Sequence, residues 1–261
     1  SHPAVRMLSF TGSTTVGKAL LVRSADRVLK VGMELGGNAP FLVLADAAID
    51  TAVESAVVAK MRHSAQTCTA ANRFLVHEDV VDEFTERFAE RMDSLNVGDG
   101  RSPNSECGPL ISAGAAQRVR NLVDEAVAGG AQKVTTRTST PDQGYFVAPT
   151  VLAGLRPDAP ITDHEIFGPV APVIAVRDAE EMIHIANDTE SGLAAYVHTR
   201  DTAGGIKIAQ RLAAGMVAIN QGTLSDPAAP FGGMKQSGLG REGGEHGLLE
   251  FCETQYIAAQ F

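Results

Sequence analysis

Residues 171–220 read APVIAVRDAEEMIHIANDTESGLAAYVHTRDTAGGIKIAQRLAAGMVAIN, and the alternation within them decides the fold class. APVIAV (171–176), GLAAYVHT (192–199) and MVAIN (216–220) are short and almost continuously apolar, the pattern of strands buried on both faces. AEEMIHIAN (179–187) and GGIKIAQRLAAG (204–215) fall between them with helical spacing. Strand, helix, strand, helix, strand is the signature of a parallel α/β sheet covered by helices.

The same grammar runs back toward residue 1. VRMLSF (5–10), VLKVGMEL (28–35), PFLVLA (40–45) and RFLVH (73–77) read as strands, and VGKALLVRSA (16–25) as a helix. A second helix is expected from Ile49 to His63, with Asp50 placed to cap it. In 79–95, Val81, Phe84, Phe88, Met92 and Leu95 form one apolar stripe of an amphipathic helix, and Asp79 can cap it. Ser112 opens a further helix that should stop at Gly129 and Gly130. GPLIS (108–112) and PFGGMKQSGLGREGG (230–244) read as loops.

Composition narrows the function classes. A chain of 261 residues with 44% hydrophobic content and 26 glycines can bury a sizeable core. No apolar run approaches the roughly 18 residues of a membrane span, and no signal-peptide pattern stands at the start, so a cytoplasmic protein without membrane contact is expected. A net charge of −9 argues against nucleic acid as a partner. Three unpaired cysteines, Cys68, Cys107 and Cys252, fit neither a disulfide framework nor a metal site.

GSTTVGKA (12–19) is close to a nucleotide triphosphate P-loop, with Gly12, Gly17 and Lys18 in register. Ala19 stands where a magnesium-binding hydroxyl is required, so that reading fails. Glu34 in MELGGNAP (33–40) taken alone reads as a solvated turn residue. A single cysteine is ordinarily a buried filler. Cys68 in SAQTCTAANR (64–73) is instead flanked by Gln66, Thr67 and Thr69, which suits a reachable thiolate, and it is expected to be alkylated first of the three.

Together FTGSTTVG, MELGGNAP, AQTCTAANRF, HEIFGPV (164–170), AIN (218–220) and PFGGMKQSGLGREGG resemble, in order and spacing, the aldehyde dehydrogenase superfamily over the whole chain. The resemblance implies an α/β fold: an aldehyde dehydrogenase-like catalytic domain, a remnant of a Rossmann-like cofactor domain and a C-terminal oligomerisation strand. On that pattern residues 1–36 are the cofactor-domain remnant, 37–236 the catalytic domain, 237–252 the return to the cofactor domain and 253–261 the oligomerisation strand. The chain then corresponds to the C-terminal portion of a full-length enzyme, with an asparagine of the oxyanion site lying upstream. The alternative is a catalytically incompetent folded piece serving only interaction or oligomerisation.

The resemblance also assigns roles. Cys68 is the nucleophile that forms a thiohemiacetal and then a thioester with an aldehyde, its backbone amide facing the oxyanion, and Glu34 is the base. Gly12, Ser13, Val16, Gly17, Leu35, Glu165 and Phe167 bind NAD or NADP. Ser13 and its neighbouring amides would meet the pyrophosphate, Val16 the adenine, Leu35 the nicotinamide carboxamide and Glu165 the ribose. A small-molecule aldehyde and further copies of the chain, as dimer or tetramer, are the implied partners.

Within the superfamily, SFTGSTTVGKALL (9–21), KMRHSAQTC (60–68) and GTLSDPAAPFGG (222–233) are most similar to succinate-semialdehyde dehydrogenases. Arg62 and Ser225 match positions that hold the distal carboxylate there, and an Arg fork suits a carboxylate. Two residues depart from that pattern. Ala70 replaces a second cysteine, removing a redox switch, and Asp226 adds a carboxylate expected to repel the substrate, which keeps glutarate semialdehyde open as the alternative.

Overall fold

A computed structural model of the chain describes residues 2–261. In chain order, β1 (Met7–Thr11), α1 (Thr14–Ala25) and β2 (Lys30–Glu34) form a parallel βαβ unit. Next come β3 (Ala39–Val43), α2 (Ile49–Met61), β4 (Ala71–His77), α3 (Val81–Asp93), α4 (Ala113–Ala128), β5 (Gln132–Lys133) and β6 (Thr150–Ala153). The alternating region gives β7 (Val170–Val176), α5 (Ala179–Asn187), β8 (Ser191–Gly192), β9 (Ala194–His198), α6 (Thr202–Ala209) and β10 (Met216–Ile219). Last are β11 (Met234–Lys235), β12 (Gly238–Leu239) and α7 (Gly244–Leu249).

Seven strands form the main sheet in the order β10-β9-β3-β4-β7-β6-β5, parallel except for β5. Side chains alternate across it, as the pleat requires. Phe41, Phe74 and Tyr196 point to the face covered by α2 and α3, where Phe84, Phe88 and Met92 of the expected stripe are fully buried. Leu42, Leu75 and Val197 point to the other face, against Val119 and Leu122 of α4 and Met182 of α5. A second sheet holds β1, β2 and β12, with β12 antiparallel to β2. No helix among the described residues is long and apolar enough to cross a membrane.

The helix-end expectations divide. Ser112 caps α4 by accepting from the Ala115 amide at 3.1 Å, and Gly130 takes the left-handed conformation after its last turn. The caps assigned to Asp50 and Asp79 are corrected. The residues preceding α2 and α3 are Ala48 and Val80, neither with a capping side chain. Asp50 instead lies in the first turn of α2 and pairs with Arg87 of α3, while Asp79 pairs with His77. A cross-helix guanidinium satisfies the Asp50 carboxylate in place of helix amides, and the Asp79 amide donates to His77 Nδ1 at 3.2 Å.

The strand expected at 253–261 does not form within the single chain. These residues form no secondary structure and are exposed, Tyr256, Ile257 and Phe261 included. An extended segment gains strand character only from a neighbour's hydrogen bonds, and nothing among the described residues pairs with it.

Candidate active site

Four residues, Leu35 to Asn38, carry the chain from the carboxyl end of β2 to the amino end of β3. Cys68 precedes β4, and Glu165 to Phe167 precede β7, so these residues gather at the amino edge of the main sheet. Open α/β sheets commonly bind ligands at the carboxyl edge. Here the carboxyl edge of the small sheet, with Gly12 and Glu34, meets the amino edge of the large one.

Glycines permit the close approach. A β-carbon on Gly37 would stand 2.2 Å from the Cys68 carbonyl oxygen, and one on Gly36 would stand 2.6 Å from Glu165 Oε2. The Gly37 amide donates to Glu165 Oε1 at 3.1 Å. Buried Arg73 holds the next residue, donating to the Asn38 carbonyl and to the Ile185 and Ala186 carbonyls that end α5. Arg118 of α4 donates to the carbonyls of Glu165 and Ile166.

The chain reaches Cys68 through an unusual turn. His63, Ser64 and Ala65 have φ of 51°, 56° and 62°, the left-handed region that residues other than glycine enter at a cost. Tyr196 donates its hydroxyl to the Thr69 carbonyl at 2.8 Å on the far side of the loop.

Cys68 is half-buried, Cys107 buried and Cys252 exposed, all as free thiols. Burial, then the negative charges of Glu165 and Glu34, push the Cys68 thiol up, against the pull of its own amide and that of Thr69. Burial and these carboxylates favour the protonated thiol at Cys68, and Cys252 is the most exposed of the three cysteines.

Glu34 is 4% exposed, and its Oε2 has no hydrogen-bond partner. Burial and the neighbouring Glu242 raise its pKa to about 7, with Arg241 opposing. The carboxylate lies by Gly232 and borders a cavity of about 240 Å³ shared with Met33, Arg241 and Glu242. The turn reading of Glu34 gives way to a buried acid with proton affinity near neutrality. Burial likewise raises the Glu165 carboxyl, opposed by the Gly37 amide and Arg118.

At the opposite side of the linker, Ser13 precedes α1 and its hydroxyl oxygen accepts from the Val16 amide at 3.4 Å. Its own O–H stays free to donate, beside first-turn amides without intrahelical partners. Gly12 donates its amide to the Glu34 carbonyl at 3.0 Å. Gly17 is buried where Leu35 packs, and a β-carbon there would meet the leucine side chain at 2.5 Å. The Leu35 amide donates to the Ser237 carbonyl at 2.9 Å, leaving the Leu35 carbonyl for any ligand. Val16 and Lys18 are exposed, and Phe167 is half-buried with φ of 53°. A free hydroxyl beside helix amides and a carboxylate held on a glycine pair fit a phosphorylated, ribose-bearing group.

Arg62 is exposed and forms no ion pair among the described residues, while Tyr196 feels both its charge and that of Cys68. Ser225 lies in an exposed loop that rests on α2 through Gly222, and no hydrogen bond links it to Arg62 or Cys68. Asp226 accepts from the Ala228 amide at 2.8 Å, so its carboxylate is engaged in its own turn. Sequence reasoning missed Lys60, Tyr196, Arg118 and Glu242. Lys60 is 0% exposed, donates to Asn72 Oδ1 at 3.0 Å, and has its pKa lowered to about 7 by burial. A lysine near the end of an amphipathic helix carries no signal of this.

A fold that gathers a half-buried cysteine, a buried acid and a glycine pair at this junction belongs to a known class: the chain is a member of the aldehyde dehydrogenase family, whose family pattern matches residues 1–257. A succinate-semialdehyde dehydrogenase of Paenarthrobacter nicotinovorans is 51% identical over 253 residues, 97% of this chain and 56% of that protein. A glutarate-semialdehyde dehydrogenase of Pseudomonas aeruginosa is 43% identical over 257 residues, 98% of this chain and 53% of that protein. The crystal structure of an E. coli NADP dependent enzyme superposes with a TM-score of 0.95 at 42% identity, covering 98% of this chain and 53% of that one. The chain spans about half the length of the relatives it matches.

Proposed function

We propose that this chain carries the catalytic centre for oxidising a short ω-carboxylate semialdehyde, first succinate semialdehyde, to the acid. The observation that carries the proposal is Glu34, a buried carboxyl with a pKa of about 7 in electrostatic contact with Cys68. A base is most effective when its pKa is near the working pH. Glu34 takes the thiol proton, and the Cys68 sulfur attacks the aldehyde carbon while the carbonyl electron pair moves to oxygen. The Cys68 main-chain amide donates to that oxyanion. NAD or NADP, when bound, supplies the hydride acceptor. Glu34 releases the thiol proton to solvent and, once hydride has left the carbon to give the Cys68 thioester, takes a proton from the hydrolysing water as the carbon–sulfur bond breaks and the Cys68 thiolate leaves.

Ser13 with the α1 amides would hold the pyrophosphate, Val16 the adenine face, and Glu165 the ribose hydroxyls beside Phe167 and the Leu35 carbonyl. Arg62 and Ser225 would take the distal carboxylate, Arg62 being exposed and without an ion-pair partner among the described residues. The names of the relatives support both four- and five-carbon semialdehydes. Pairing of β12 with β2 supports assigning 1–36 and 237–252 to a cofactor unit and 37–236 to the catalytic domain. The apolar residues of 253–261 are read as the contact between copies.

The test is Glu34→Gln, assayed for NAD(P)-dependent oxidation of both semialdehydes. Turnover should fall about 10²- to 10⁴-fold with substrate affinity retained. Unchanged turnover would remove Glu34 from the mechanism.

A further inference from the structure

Gln66, two residues before Cys68, uses both ends of its side-chain amide. Its Oε1 accepts from the Ile111 amide at 2.9 Å, and its Nε2 donates to the carbonyls of Pro109 and His63, each at 3.3 Å. Nearby, Ser64 Oγ accepts from the Gly108 amide at 2.8 Å. These bonds span from the left-handed turn at 63–65 to the segment 107–111.

That segment is fixed from behind. Cys107 is buried and its amide donates to the Asn96 carbonyl at 3.1 Å, while buried Leu110 donates to the Tyr145 carbonyl at 3.0 Å. Ser112 then caps α4, whose Arg118 holds the Glu165 carbonyl. One rigid element thus touches both the thiol loop and the carboxylate loop.

A run of three left-handed residues does not persist without outside contacts, because each is disfavoured in isolation. Only Gln66 and Ser64 join this turn to segment 107–111 by hydrogen bonds among the described residues. We propose that Gln66 is a positioning residue for Cys68, tying the strained turn to the fixed 107–111 segment so that the thiol stays between its own amide and the Glu34 and Glu165 carboxylates.

The inference takes its importance from the reading of Cys68 as nucleophile, but its test does not depend on that reading. Iodoacetamide labelling across pH, resolved by peptide mass, gives the titration midpoint of each thiol in the chain. In Gln66→Met the turn is freed and the Cys68 thiol leaves the carboxylates, so its midpoint should fall toward the ordinary thiol value. Cys252 should be unmoved, and the melting temperature close to wild type. Ser64→Ala should shift Cys68 in the same direction and decides the matter if Gln66→Met does not fold. A Cys68 midpoint unchanged in the folded variants, whatever their melting temperatures, would reduce Gln66 to a structural residue and overturn the proposal. Failure of the nucleophile reading would appear separately, as absence of acyl transfer to Cys68.

Discussion

The carbonyl oxygen of Cys68 lies against Gly37 so closely that a β-carbon on Gly37 would stand 2.2 Å away. Gly37→Ala must therefore displace either the Cys68 loop or the linker, and backbone rather than a flexible side chain has to give. Overpacking of this kind costs about 1–3 kcal/mol. Urea denaturation should show the loss, together with altered Cys68 labelling because the Gly37 amide holds Glu165. Wild-type stability would mean the two segments are less rigidly juxtaposed.

Glu34 gives the protein a pH dependence of defined sign. Its carboxyl titrates near 7 when folded against 4.5 for an ordinary glutamate. Between those values the folded chain binds more protons than the unfolded one, so this group lowers stability as pH rises through the window, with a plateau above it. Glu34→Gln should flatten that fall and leave the variant more stable than wild type near pH 8, by on the order of 3 kcal/mol at most. Denaturation curves at about pH 5 and about pH 8 measure the slope.

Lys60 has the opposite sign. Its amine titrates near 7 when folded against 10.5 otherwise, so the unfolded chain binds more protons between those values and stability rises with pH across them. Lys60→Met should abolish that rise. At the top of the window it should be less stable than wild type by about 1–3 kcal/mol, because Asn72 Oδ1 loses its donor. A variant that keeps the full rise would place the titration elsewhere.

Which features were legible follows from their range. The stripe Phe84, Phe88, Met92 and the Ser112 cap depend on neighbours three or four residues away, and both hold in the fold. Asp50 and Asp79 found partners in Arg87 and His77, one of them on another helix, which local capping rules do not see. Cys68 and Glu34 were recognisable from motif order, yet their proton affinities come from burial and from neighbouring charges. Arg62 and Ser225 were picked by resemblance, and no hydrogen bond joins them in the single chain. Lys60 and Gln66 act through Asn72 and Ile111, contacts that exist only once α2, β4 and the 107–111 segment have packed.

The central claim is that Cys68 is the nucleophile, and acyl transfer to it tests this without any cofactor. The chain is mixed with excess p-nitrophenyl hemisuccinate, nitrophenolate release is followed, and the acylated peptide is identified by mass. The expected result is a burst of about one equivalent per chain with the succinyl group on Cys68, lost in Cys68→Ser and slowed in Arg62→Ala. Acylation confined to Cys252, or a burst that survives Cys68→Ala unchanged, would contradict it.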